Sequence, residues 1–224
     1  MFFQLDPDDI SFPNPSLADS DGLLAIGGDL RIERLLLAYE LGIFPWYGED
    51  TPILWYSPHE RFVLYPDELR LSKTMRKLMR EATYVLTYDR TFAEVIEACA
   101  YIKRQGQDGT WITDDMMDAY KLLHRNGHAH SVEVWNKEGN LVGGLYGVSC
   151  GIAGQVFCGE SMFSLESNTS KLALVALCQS GNYSLIDCQI ESSHLSSMGA
   201  RLITRKEYMR FFRTIDVDSD LNAD

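Results

Sequence analysis

No apolar run in the chain approaches the roughly 20 residues that a membrane-spanning helix needs. The first residues, MFFQLDPDDI, carry no basic stretch ahead of an apolar one, so they do not read as a secretory signal. The expectation is a cytoplasmic protein with no membrane partner. There is no CxxC pair, and the cysteines number five: Cys99, Cys150, Cys158, Cys178 and Cys188. An odd set, each member among apolar neighbours, reads as reduced buried thiols rather than a disulfide or zinc framework. HExxH is absent. GLLAIGGDL, the one glycine-rich stretch of that kind, has neither the lysine and spacing of a phosphate loop nor a GxGxxG fingerprint. Neither a metal nor a nucleotide cofactor is expected. Positive charge is also scarce, with 20 Lys and Arg against 32 Asp and Glu for a net charge of −12. That excludes a general nucleic-acid binder, which needs a cationic surface.

What is present is a chain of 224 residues, 46% hydrophobic and 23% charged, long enough for one large or two small domains with a real core. Its charge is uneven. Residues 1–60 hold eleven acids and two bases, whereas RLSKTMRKLMR, residues 70–80, holds five bases and no acid. Ser72 can cap a helix there, with Met75, Leu78 and Met79 inward and Lys73, Arg76, Lys77 and Arg80 gathered on the other side. Such a face is commonly no more than solvated surface; on an acidic protein it also fits a partner that presents phosphate at one place.

Proline and glycine cluster in the first 60 residues around one helix, about Leu30 to Leu41, stopped by Gly42. Thr91 with Glu94 spells a capping box, and Thr113 with Asp114 and Asp115 opens a helix that ends at Gly127. After that the period shortens. AHSVEVW and LVGGLYGV flank NKEGN as a hairpin, and QVFCGESMF is a further strand. A helix over SNTSKLALVALCQSGN and a strand over SLIDCQI follow, and Thr204 with Glu207 caps a last helix over EYMRFFRTI. The expected fold is mixed α/β (α+β): a small N-terminal lobe over 1–65 in front of a mixed-sheet domain over 66–224.

Polar residues stand out inside the strands. Asp187 and Gln189 sit two apart in LIDCQ, which alternation places on one face, and Glu160 shares a face with Cys158 and Met162 in FCGESMF. Two strands joined by one helix commonly lie close in a sheet, so these groups can meet in one cleft. A buried carboxylate that only satisfies local donors is the plainer reading of Asp187. His124, His128 and His130 invite a metal hydrolase, but Gly127 breaks the helix between the first two. They read instead as one helix-end histidine and two strand histidines. Cys188 with His194 could make a nucleophile and base, yet Cys188 alternates into Ile186 and Ile190 and reads as a buried thiol. Trp46 in FPWY and Trp111 in GTWITDD lie in loops, where an indole can offer its face to a flat ligand.

Long blocks run in order from about residue 12 to 200: FPNPSLADSDGLLAIGGDL, RLLLAYELGIFPWY, ILWYSP, GTWIT, AYKLLHRNGHAHSVEVW, LVGGLYGV, FCGESMFS, LIDCQ and HLSSMGA. Together they closely resemble the leucyl/phenylalanyl-tRNA–protein transferase family. The resemblance implies a GNAT-like C-terminal domain and no metal or coenzyme. It implies transfer of Leu or Phe, sometimes Met, from aminoacyl-tRNA to proteins that begin with Arg or Lys, marking them for N-degron-dependent degradation. By the same resemblance, Asp187 and Gln189 match the catalytic pair and Glu160 its supporting acid. Trp46 and Trp111 match the residues that hold the terminal adenosine, and Phe157, Met162, Leu174, Leu177 and Ile186 the apolar pocket for the transferred side chain. Lys73, Arg76, Lys77 and Arg80 would then steer the tRNA. Tyr56 stands where the family usually has a second Trp, and Leu165 where it usually has Arg. Three rivals are an acyltransferase using acyl-coenzyme A on a GNAT-like fold, a metal hydrolase on the three histidines, and a non-enzymatic adaptor for basic N-termini. The first would need a glycine-rich pyrophosphate loop that the sequence does not spell.

Overall fold

The computed structural model describes residues 2–102 and 111–212. Four short strands, β1 (Phe3–Leu5), β2 (Leu23–Gly27), β3 (Phe44–Pro45) and β4 (Leu54–Tyr56), form one sheet in the order β1-β2-β4-β3. Helix α1 (Ile32–Glu40) lies between β2 and β3. It stops as its sequence suggests: Gly42 takes φ +69° and its N–H donates to the Tyr39 carbonyl.

The second sheet has seven strands: β5 (Glu60–Leu64), β6 (Val85–Tyr88), β7 (Ala129–Trp135), β8 (Leu141–Cys150), β9 (Val156–Ser164), β10 (Leu185–Gln189) and β11 (Arg201–Thr204). Their order is β11-β5-β10-β9-β8-β7-β6. β9 and β10 pair in parallel, and the other neighbours pair antiparallel. This is the mixed sheet expected for the second half. β5 belongs to it, so the chain passes between the sheets from Tyr56 to Glu60, a few residues ahead of the 65/66 boundary read from composition.

Among the described residues six further α-helices complete the fold: α2 (Lys73–Glu81), α3 (Phe92–Tyr101), α4 (Asp114–Arg125), α5 (Thr169–Gln179), α6 (Ser193–Ser197) and α7 (Arg205–Tyr208). Ser72 and Thr113 cap α2 and α4 by accepting from Met75 N and Met116 N. Thr91 departs from its expected box: its hydroxyl donates to Glu94 Oε1 at 2.6 Å and makes no capping bond to the α3 backbone. The Thr204–Glu207 box does form, but the helix behind it is shorter than its pattern suggests. α7 ends at Tyr208, a 3₁₀ turn carries the chain to Phe211, and residues 213–215 of the expected helix lie outside the described residues. Among the described residues no helix is long and apolar enough to cross a membrane.

The large sheet has a core on each face. Val63, Tyr146, Val148, Cys158 and Leu185 pack with α1, α3 and α4, while Phe62, Leu64, Leu145, Phe157 and Ile186 pack with α5. Alternation along β5 and β10 therefore sends Val63 and Leu185 to one side and Phe62 and Ile186 to the other.

The pairing of β8 with β9 at the centre of the sheet depends on Gly147. A Cβ at Gly147 would lie 2.2 Å from the Cys158 carbonyl oxygen and 2.6 Å from the Phe157 ring. Backbone cannot yield that far without parting β8 from β9. Gly147→Ala should lower stability by about 1–3 kcal/mol, as overpacking does, measured as an earlier urea midpoint. An unchanged midpoint would mean that the two strands can separate freely here.

Candidate active site

Two irregularities shape the middle of the sheet. In β9, Gly159 faces Gly147 and Ser161 faces Tyr146, so Glu160 is an extra residue on its strand. In β10, Asp187 faces Val63 and Gln189 faces Phe62, so Cys188 is extra there, and Gln189 takes φ +59°. Such bulges bend a strand and re-aim its side chains. They also overrule strict alternation. Met162 packs on the α5 side, away from Cys158, and Asp187 and Gln189 are not a simple i, i+2 pair. Gln189 nevertheless ends beside both acids: its backbone N–H donates to Asp187 Oδ1 at 2.9 Å and its side-chain amide to Glu160 Oε1 at 3.1 Å.

Parallel pairing of β9 with β10 stops at the Asp187–Cys158 step. Beyond it the strands part, and a cavity of about 310 Å³ opens between them. Its walls include Phe157 and Met162 of β9, Leu174 and Leu177 of α5, and Ile186 of β10. The five residues expected to form an apolar pocket thus meet in one place. Trp111, Glu160 and Asp187 border the same cavity, as do Ser192, His194 and Leu195, which the sequence reading did not assign to it. Burial, then the charge of Lys171, holds the His194 imidazole below its ordinary value. Trp46 stands apart: it is 42% exposed, follows β3, and lies tilted against Tyr56 with ring centroids 5.8 Å apart.

Asp187 is wholly buried behind the cavity wall. Its partner is Arg61 of β5, also buried, whose Nη2 and Nε both reach the carboxylate. The same guanidinium donates to the Gly42 carbonyl at 2.8 Å and lies over the rings of Phe44 and Tyr208. Burial pulls its pKa down, but the Asp187 charge and hydrogen bond together with Tyr208 and Cys158 raise it above the ordinary value. Tyr208 OH adds a hydrogen bond to Asp187 Oδ2 at 2.9 Å, and Cys158 Sγ lies 3.6 Å from the same oxygen.

Glu160 has different company. It is 7% exposed and, among the described residues, bonded only by neutral donors: Tyr39 OH at 2.7 Å, the Gln189 amide, and Tyr120 OH at 3.2 Å. Burial pushes its carboxyl up; the tyrosine and amide hydrogen bonds work against this, the Asp187 charge works with it, and the pKa stands at about 7. Arg61, Tyr39, Tyr120 and Tyr208 were not singled out from the sequence. Arg61 did leave a signal there, a cation opening the apolar run RFVL.

The other expected groups fall elsewhere. Lys73, Arg76 and Arg80 border a shallow groove on α2 with Leu71 and Met79, and Lys77 pairs with Glu81 at 3.6 Å. His124 is engaged with the Ala129 carbonyl and His130 with Asp89, each at 2.8 Å. Among the described residues no group of three His, Cys, Asp or Glu side chains lies close enough to hold a metal. None of the five cysteines is in a disulfide, and Cys188 borders the cavity as a thiol whose pKa burial raises.

By its geometry the chain is an α/β protein with an apolar side-chain pocket set beside a carboxylate that titrates near neutrality. Comparison with known proteins is more particular. Residues 63–213 match the family described as leucyl/phenylalanyl-tRNA protein transferase, and residues 28–59 match that family's N-terminal domain. A protein of Flavobacterium johnsoniae named leucyl/phenylalanyl-tRNA–protein transferase is 53% identical over 92% of this chain and 97% of its own length. Proteins of that name from Syntrophobacter fumaroxidans and Syntrophus aciditrophicus are 53% and 54% identical, covering 90% and 91% of this chain and 86% and 85% of theirs. The chain belongs to the leucyl/phenylalanyl-tRNA–protein transferase family. Among solved structures, one titled "Crystal structure of FemX" superposes with a TM-score of 0.46 at 12% identity, over 77% of this chain and 66% of that one.

Proposed function

We propose that the protein moves a leucyl or phenylalanyl group from its tRNA onto the α-amino group of a protein that begins with Arg or Lys, in the cytoplasm. The observation that carries this reading is the cavity between β9 and β10, which joins an apolar pocket, an indole and the Glu160 carboxylate in one space, with the Gln189 amide hydrogen-bonded to that carboxylate. An apolar pocket of this kind takes Leu or Phe over polar side chains, and it discriminates poorly against Met, whose bulk and polarity are similar. Trp111 at the cavity and Trp46 on the small lobe offer ring faces to the terminal adenosine. Lys73, Arg76, Lys77 and Arg80 steer the tRNA stem, while the acidic surplus attracts a cationic terminus. Part of that surplus, Asp29, Glu49, Asp114 and Asp115, borders a cleft between the small lobe and α4.

The reaction is aminolysis of an ester. The α-amine attacks the carbonyl carbon, the bond to the ribose oxygen breaks, and one proton passes from nitrogen to that oxygen. Asp187, Gln189 and Glu160 surround the place where the amine arrives. Because the ester is already activated, fixed geometry supplies much of the rate; such positioning is worth roughly 7–11 kcal/mol in favourable cases.

The test is transfer of labelled Phe or Leu from charged tRNA to peptides that begin with Arg, Lys or Ala. Transfer to the basic peptides alone is the expected result. Equal labelling of the Ala peptide would remove the acceptor specificity, and acetylation of the peptide from acetyl-coenzyme A without transfer from tRNA would replace the whole reading. Trp111→Ala should raise the KM for aminoacyl-tRNA roughly tenfold, since a base stacked on an aromatic ring is worth about 1–3 kcal/mol.

A further inference from the structure

We propose that Glu160 is the proton acceptor of the transfer step, that the paired phenols of Tyr39 and Tyr120 hold it for that task, and that Asp187 positions its neighbours without taking the proton. The inference rests on the aminoacyl-transfer reading above.

An ionised carboxylate has about four lone-pair sites. Those of Asp187 are taken: Arg61 Nη2 and Tyr208 OH on Oδ2, Arg61 Nε and the Gln189 backbone N–H on Oδ1. A proton could reach it only by displacing a buried donor, one of which is a cation. Glu160 is open by comparison. Its Oε1 receives Tyr39 OH and the Gln189 amide, but among the described residues its Oε2 receives only Tyr120 OH, at a long 3.2 Å. It also borders the cavity.

The tyrosines make the difference chemical. Tyr39 OH and Tyr120 OH are 2.5 Å apart, so the two phenols and the carboxylate close a ring of three oxygen contacts. While Glu160 is ionised, only two phenolic protons are available for three contacts. A proton arriving at Oε2 fills the third: Oε2–H donates to Tyr120, Tyr120 to Tyr39, and Tyr39 to Oε1. Burial, then the Glu160 charge, raises both phenols well above their ordinary pKa, so they remain donors throughout. The charged and titratable groups around the ring are Asp187 with Arg61, Cys158 and Tyr208 behind it, Tyr146 from β8, and His194 across the cavity.

The step balances without a cofactor. The amine nitrogen bonds to the ester carbon, and its proton goes to Glu160 Oε2. The carbon–oxygen bond to the ribose breaks, and the ribose oxygen takes that proton back. Gln189 directs one amide N–H to Glu160, and its side-chain carbonyl, which has no partner among the described residues, can accept the second N–H of the amine.

The experiment is the pH dependence of transfer at saturating charged tRNA and Arg-peptide, for wild type, Glu160→Gln, Tyr39→Phe and Tyr120→Phe. Wild type should lose activity as pH falls through an apparent pKa near 7. Glu160→Gln should fall about a hundredfold or more in kcat, the usual scale for a lost general base, with little change in KM for the peptide and no remaining acid limb. Each Phe variant removes a donor that favours the charged carboxylate, so its limb should move to higher pH. Glu160→Gln with normal kcat and a raised peptide KM would overturn the proposal and make Glu160 an acceptor-binding group. A limb unmoved in both Phe variants, or one that follows the basicity of the acceptor amine, would also overturn it, even if Glu160→Gln failed to fold. Absence of transfer by wild type would defeat the underlying reading, and the inference with it; active wild type with an unaffected Glu160→Gln would defeat the inference alone.

Discussion

Arg61→Met should lower the stability of the fold by about 3–5 kcal/mol, the usual loss when one partner of a buried ion pair is removed, and should abolish transfer. Against a total of about 5–15 kcal/mol for a typical protein, that is a large share. Arg61 is buried with Asp187, its guanidinium lies 4.9 Å and 4.6 Å from the ring centres of Phe44 and Tyr208, and it donates to the Gly42 carbonyl. Met fills much of the space between the rings, so most of the loss is electrostatic: the Asp187 carboxylate is left in the interior with neutral donors only. The same side chain ties the segment after α1 to β5, β10 and α7, so the loss should show as a cooperative shift of the whole urea transition. The companion experiment separates charge from shape. Arg61→Met with Asp187→Asn removes both charges and should recover most of the stability but not the activity, because the site stays without its charged pair. A single Arg61→Met variant with the wild-type urea midpoint would show that Asp187 is satisfied without a cation.

Why the sequence reading reached some of this site and not the rest follows from what each signal measures. Polarity inside an apolar strand marks a residue that needs a partner, and it picked out Glu160, Asp187 and Gln189, which do meet. The same signal was available for Arg61 and would have paired it with Asp187, since two opposite charges in two buried strands point to one another. Alternation assumes an unbroken pleat, and the extra residues at Glu160 and Cys188 break it without altering hydrophobic content, so the faces of Met162 and Gln189 could not be read from period alone. Helical spacing is silent on where a hydroxyl points; the bond from Tyr120 to Glu160 exists only because α1 and α4 pack on the same face of the sheet. The apolar pocket is a further case. Phe157, Met162, Leu174, Leu177 and Ile186 came from the family resemblance, because residues from two strands and a helix share no common period. The short strand β11 lies in the noise of any local reading, since four residues hold little pattern, whereas the equally brief α7 was marked by its capping box.

Glu160→Gln should stabilise the protein at alkaline pH while impairing it as an enzyme. The pKa of Glu160 is raised from 4.5 to about 7 in the fold, so the folded state holds its proton more tightly than the unfolded chain does. For an acid shifted upward, the contribution to stability is fully present below the unfolded value and disappears as pH rises to the folded one. The window is therefore about pH 4.5 to 7, and above it the ionised, 7% exposed carboxylate weighs against folding. A difference between those two values corresponds to about 3 kcal/mol, at 1.36 kcal/mol for each unit. Glutamine keeps the shape and an acceptor for Tyr39 and the Gln189 amide, and its own NH2 can face the Tyr120 oxygen, so little hydrogen bonding is lost. The variant and wild type should have similar urea midpoints at pH 5, and the variant should be the more stable of the two at pH 8. Equal midpoints at both pH values would show that the carboxylate is solvated or paired in the folded state, and would remove the physical basis for a near-neutral acceptor at this position.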